Sequence, residues 1–227
     1  MVTVSEKNIK DPMQKKIRRK RQILRNRTVI LRSARELFHK KGFYGTTMED
    51  IAKISGFDRR TIYNHFKNKE DVFAALISGI LDDIDAVFND ISAQKGSSLD
   101  KLRELVLSLF DLYIDNSQLL NIFMSEYETN EIKKRRYLSA YTLKNISAYK
   151  KIEARLVAMI KDAQEEKLVV NVHPYILAGM LNELILRSVI VLHNQKGTIR
   201  KKDIIHDIFE LLGKNVVRPP LITSGKI

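Results

Sequence analysis

Arg59, Arg60, Tyr63 and Asn64 lie outward on a short helical stretch whose Ile62 and Phe66, spaced i and i+4, point inward. Side chains of these types on an exposed face hydrogen-bond to phosphate oxygens and to base edges. In a major groove Arg is matched to guanine and Asn to adenine. Tyr63, His65 and Lys69 gather toward the far end of the same stretch. The chemistry on offer is recognition of a polyanion.

Cap and turn signals show what must hold these residues. Ile30, Ala34, Leu37 and Phe38 make one apolar face of a helix that Gly42 stops. Thr47 offers an N-cap hydroxyl to a two-turn helix with Met48, Ile51, Ala52 and Ser55 inside and Gly56 closing it. Asp58 is the next N-cap candidate and opens the stretch that carries the two arginines. Two short helices joined by a tight turn, after a longer support helix, predict a helix-turn-helix unit. A plain three-helix packing unit with a charged outer face shares this pattern, but it leaves the charge around it unexplained.

That charge is uneven. The 227 residues hold 40 Lys and Arg against 27 Asp and Glu, a net of +13. Residues 1–27 alone carry ten basic residues against Glu6 and Asp11. A clustered positive field ahead of a near-neutral body suits phosphate neutralisation, although a solvated tail or an anionic membrane surface fits charge alone. Lys15 to Arg27 contains neither Gly nor Pro, so it either prolongs the first helix upstream or stays disordered until DNA is bound. Arg18, Arg19 and Arg21 are its candidates for an adjacent minor groove, where narrow A·T tracts attract Arg.

The motifs resemble a known family. Arg32-Ser-Ala-Arg-Glu-Leu-Phe-His-Lys-Lys-Gly-Phe, then Thr46-Thr-Met-Glu-Asp-Ile-Ala-Lys-Ile-Ser-Gly-Phe, then Thr61-Ile-Tyr-Asn-His-Phe-Lys-Asn-Lys-Glu-Asp-Val-Phe resembles the N-terminal domain of TetR/AcrR-type bacterial transcriptional regulators. The likeness covers about fifty residues, roughly the first quarter of the chain. It implies that Thr47 is a phosphate-contacting N-cap, that Tyr63 and His65 grip the DNA backbone, and that Lys69 meets phosphate. It implies that Arg59 and Arg60 reach base edges. The implied DNA-binding set is Thr47, Arg59, Arg60, Thr61, Tyr63, Asn64, His65 and Lys69. Arg60 stands where the family often has a small residue, so it must extend into the groove or lie along a phosphate. Asp58 replaces the commoner Ser; it still caps, but its charge repels a nearby phosphate.

The rest of the chain reads as helix, with segments near 70–91, 98–115, 118–128, 131–165, 174–194 and 201–212 and about nine helices in all. Leu168–Val172 is a short β-favouring stretch. The expected organisation is all-α, with an arm over 1–24, a DNA-binding domain over 25–77 and an effector-binding and dimerisation domain over 78–227. The stretch from Tyr175 to Leu192 is apolar nearly all round and must be covered on every face, either by its own chain or by a second copy. The resemblance implies a homodimer through the last two helices, 174–194 and 201–212. It also implies an effector cavity, for which Tyr113, Tyr127 and Asn182 are the candidate lining. Arg187 is the candidate partner of an anionic ligand, and Glu126 or Glu183 of a cationic one. Glu183 and Arg187, at i and i+4, can equally pair with each other.

Other classes fit less well. Without cysteine there is no disulfide framework, zinc finger, iron–sulfur cluster or thiol nucleophile. There is no Gly-x-Gly-x-x-Gly, P-loop or His-Glu-x-x-His, and the five histidines lack metal spacing. No enzyme activity, metal or cofactor is expected. No run approaches 18 uninterrupted apolar residues and the N-terminus lacks a secretory core, so a cytoplasmic protein without a membrane partner is expected. The implied activity is a ligand-released repressor on a pseudo-palindromic operator. The alternative is a non-specific architectural or polybasic polyanion binder.

Overall fold

The computed structural model describes residues 12–133, 140–194 and 200–213, with side chains except at 12, 125–133, 140–143, 193 and 194. Eight helices are found among them, α1 (Pro12–Lys41), α2 (Met48–Ser55), α3 (Arg59–His65), α4 (Lys69–Ser92), α5 (Ser98–Lys133), α6 (Ala140–Glu165), α7 (Pro174–Asn194) and α8 (Lys201–Leu212). The chain divides into two compact units, residues 1–76 and 77–227.

In the first unit the local signals become geometry. Gly42 takes φ +72° after the last turn of α1, whose His39, Lys40 and Lys41 face the negative end of the helix dipole. Ile30, Ala34, Leu37 and Phe38 are buried, as their spacing requires. Thr47 and Asp50 form a complete capping box on α2, with Asp50 N donating to Thr47 Oγ1 at 3.1 Å and Thr47 N to Asp50 Oδ2 at 3.1 Å. Gly56 closes α2 at φ +73°, and Asp58 Oδ1 accepts from Thr61 N at 2.9 Å to open α3. Ile51, Ile62, Phe66 and Val72 complete the small core.

The second unit is a helical bundle. Ile77, Ile80, Leu81, Ile84 and Phe88 of α4, Leu102, Leu105, Val106, Leu109 and Phe110 of α5, and Val157 and Ile160 of α6 are buried. α7 packs on α5 and α6, and α8 on α5 and α7. α7 has the length and composition of a membrane span over Pro174–Leu192, yet it buries Leu177, Ala178, Leu181, Ile185 and Val189 within the bundle. Leu168–Val172 is no strand. Its backbone is held instead by Gln164 Nε2, which donates to the carbonyls of Val170 and Val172 at 2.8 and 2.7 Å, and by Val170 N, which donates to Leu212 O.

Two expected helix boundaries change. The breaks expected between Asp115 and Gln118 and between Glu128 and Glu131 do not occur, and α5 runs unbroken from Ser98 to Lys133. Asn116 and Ser117 are weak helix formers, but buried Tyr113, Asn116, Leu119 and Leu120 tie this stretch into the bundle. Asn116 Nδ2 also donates back to Leu112 O at 2.8 Å, while its buried Oδ1 is left without a hydrogen-bond partner among the described residues. At the arm, helix is present from Pro12 onward, so of the two alternatives it is the upstream prolongation of the first helix that is found.

Candidate nucleic-acid interface and ligand cavity

The face of α3 is assembled by its inward residues. Ile62 is fully buried and Phe66 nearly so, leaving Arg59, Arg60, Tyr63 and Asn64 exposed. Arg59 is arranged before any ligand arrives, with its guanidinium 5.4 Å from the centroid of the Tyr63 ring and 3.3 Å from Glu49 of α2. Thr61 is set differently, because its hydroxyl donates to Asp58 Oδ2 at 2.7 Å. It locks the start of α3, and this bond with the Thr61 amide holds the Asp58 carboxyl below its usual range. Asp58 therefore presents negative charge at the helix start.

The supporting residues are equally engaged. Thr47 Oγ1 donates to Asp50 Oδ2 at 2.9 Å, so a phosphate would have to compete with that carboxylate. Asp50 is held down to about 2 by Lys41 Nζ at 3.0 Å and by its bonds with Thr47. Lys69 Nζ donates to Phe43 O at 2.7 Å and lies 4.5 Å from the Phe43 ring centroid, which uses one of its three donors. His65 is half-buried, and burial first and Arg27 second lower its pKa, so it presents a neutral imidazole at pH 7.

Arg27 is the residue that sequence reasoning missed. Its Nη1 donates to His65 O at 3.5 Å and its guanidinium lies 4.3 Å from the Phe66 ring centroid, pinning α1 to the end of α3. Only its cationic type pointed to it. Further up α1, Lys15, Arg18, Arg19, Arg21, Gln22 and Arg25 share one surface of the helix, and residues 13–25 are all exposed.

Family comparison settles the relationship. Residues 30–76 match the model for bacterial regulatory proteins of the tetR family. Residues 30–76 are thus a tetR-family domain. Over 112 residues the chain is 33% identical to the HTH-type transcriptional repressor NicS of Pseudomonas putida, covering 48% of this chain and 51% of NicS. It is 31% identical over 90 residues to the repressor KstR2 of Mycobacterium tuberculosis, covering 40% and 45%. It thus spans about half the length of these curated relatives. The fold extends further, since a structure of AibR with isovaleryl coenzyme A and operator DNA superimposes with a TM-score of 0.68 at 19% identity, over 83% of this chain and 98% of that one.

In the second unit the chain encloses a cavity of about 40 Å³ lined by Leu105, Leu109, Tyr113, Phe123, Asn182, Glu153 and further, mainly apolar, residues. Tyr113 and Asn182 meet there, with Tyr113 Oη donating to Asn182 Oδ1 at 2.7 Å. Burial, and to a lesser degree Glu183, push the Tyr113 phenol well above its ordinary pKa. Tyr127 and Glu126 have side chains outside the described residues. Arg187 does not line this cavity. Five residues beyond Asn182, it is turned roughly 140° around α7. There it is exposed, 3.7 Å from Glu183, in an outer cleft that also includes Met180, Leu184 and Leu211. That placement removes it as an anchor for a ligand held between Tyr113 and Asn182.

Proposed function

We propose that this chain is a sequence-specific transcriptional repressor that binds a pseudo-palindromic operator as a homodimer and is released by a small-molecule effector. The observation that carries the reading is the exposed α3 face, with Arg59 stacked on Tyr63 and Arg60 and Asn64 beside them, on a capped helix-turn-helix. One seven-residue recognition helix reaches too few base pairs for selectivity. Two of them about 34 Å apart, in successive major grooves, read a two-fold site.

The dimer is supported by α7 and α8. Tyr175, Ile176, Met180, Val191 and Leu211 are large apolar residues left exposed on these two helices. A second copy presenting the same surface would cover them in an isologous four-helix contact. The cavity lined by Tyr113 and Asn182 supports an effector site, because an apolar cleft with few polar groups is how small ligands are held. At about 40 Å³ it has room for only a few waters, so a ligand must open it. The opened state is then the one that ligand stabilises, which is what coupling to operator release requires. A cytoplasmic protein is the consistent setting.

The test is selection of bound fragments from the source genome by purified protein at about 150 mM salt, repeated with an Arg59→Ala/Tyr63→Ala variant. Recovery of one short pseudo-palindrome, lost in the variant, supports the repressor reading. Recovery of random fragments unaffected by the variant overturns it in favour of an architectural polyanion binder.

A further inference from the structure

From Pro12 to Arg35 the chain holds ten Lys and Arg and no Asp or Glu. The tetR-family match begins only at Ile30, so the upstream half of α1 lies outside the matched domain. Lys15, Arg18, Gln22 and Arg25 recur at i, i+3, i+7 and i+10, which stacks them along one face of the helix. Arg27 fixes the base of this segment, because its contacts with His65 O and Phe66 tie it to the far end of α3. Lys15 is twelve residues further out, about 18 Å along the axis at 1.5 Å per residue. A duplex rising about 3.4 Å per base pair spans about five pairs over that length.

A helix about 10–12 Å across does not enter a minor groove about 6 Å wide. The cations therefore cannot act as a threaded arm while they remain on α1. They can act as a bar laid across the groove, with side chains on both flanks reaching phosphates of the two strands. Resting on the operator reading above, we propose that the cationic face of α1 straddles the minor groove flanking each half-site and clamps its phosphates. The rigid helix then sets how much flanking duplex the protein needs. The opposite side of this segment carries Ile17 and Leu24 interrupted by Lys16 and Lys20, with no aromatic residue, so it offers no continuous apolar edge for membrane adsorption. Continuity with α3 favours DNA.

The experiment measures affinity of the full-length protein for the recovered palindrome, trimmed to its half-sites or carrying ten further base pairs on each side. Wild type is compared with Lys15→Gln/Arg18→Gln/Arg21→Gln/Arg25→Gln, whose Gln residues keep helix propensity, and with Gln22→Pro, which keeps every charge but breaks the helix. Wild type should gain at least tenfold from the flanks, and both variants should lose most of that gain while still binding the trimmed site. With four phosphates per protomer, the slope of log K against log salt on flanked DNA should be shallower by roughly 7 in the dimeric quadruple variant. Doubling the salt then weakens wild type about a hundredfold more than the variant.

Equal affinity for trimmed and flanked sites overturns the clamp and leaves the operator reading intact. Full flank gain in Gln22→Pro overturns the rigid bar in favour of a flexible tail. Binding to phosphatidylserine vesicles that the quadruple variant abolishes, with no flank effect, reassigns the face to membrane. Loss of selectivity for the trimmed palindrome itself overturns the operator reading and the clamp with it.

Discussion

Replacing Tyr113 by Phe tests the polar pair inside the second unit. The substitution removes one oxygen and leaves Asn182 Oδ1 without its 2.7 Å donor. A buried acceptor stripped of its partner costs about 1–3 kcal/mol, and because Asn182 is only half-buried the loss should fall near the lower end, about 1–1.5 kcal/mol. For a chain of this size that corresponds to a melting temperature lower by about 2–5 °C. Asn182→Leu should cost about 2 kcal/mol, because it strands the hydroxyl of Tyr113, a residue only 7% exposed. The double variant, with both polar groups gone, should return to within about 1 kcal/mol of wild type. Chemical denaturation of all four proteins gives the cycle. A neutral Tyr113→Phe, or a double variant as unstable as the sum of the singles, refutes the claim that this bond matters. The pH dependence has a fixed sign. The folded phenol titrates above its unfolded value of about 10, so its stabilising contribution is complete below that pH and is lost as pH rises further. Tyr113→Phe should flatten this alkaline limb.

Other outcomes follow from single positions. Lys167 sits at φ +60° just past α6, where Leu168 N donates to Ala163 O in a helix-ending turn; Lys167→Gly should stabilise the protein by about 1 kcal/mol, read as a higher denaturation midpoint. Asp50 titrates near 2 when folded, so its stabilising contribution is present above about pH 4 and lost as pH falls toward 2; Asp50→Asn should flatten that part of an acid melting profile. For the proposed dimer, Met180→Glu/Leu211→Glu should shift the protein to monomer by light scattering without altering helix content, and unchanged mass would exclude this face from the interface.

What could be read from the sequence was local. Thr47, Gly56 and Asp58 announce α2 and α3 because caps depend on residue type at a fixed offset and little else. The buried faces of α1 and α3 were visible for the same reason, as helical spacing carries them. Long-range facts were not visible. Asn116 and Ser117 look like a boundary until burial against the bundle outweighs their modest propensities. Arg187 looks like a neighbour of Asn182 in sequence, but one and a half turns of helix carry it to the outer surface. Arg27 reaches His65 across 38 residues, a separation at which no periodicity gives a signal. The all-α architecture was legible because long Gly- and Pro-poor stretches with helical spacing leave little room for a sheet.

The pairing of Arg59 with Glu49 bears on how a searching protein distinguishes passing contacts from its destination. A guanidinium already resting on a carboxylate must give up that neighbour to take a stray phosphate, and both partners are exposed enough for the exchange to be cheap. The effect on dwell time at any random stretch is at most about a few-fold. Glu49 nevertheless competes at every stop, whereas a bidentate guanine edge repays the exchange only at the right one. On the proposed operator reading the carboxylate acts as a brake on loitering, and Glu49→Gln should lengthen residence on random duplex more than on the operator.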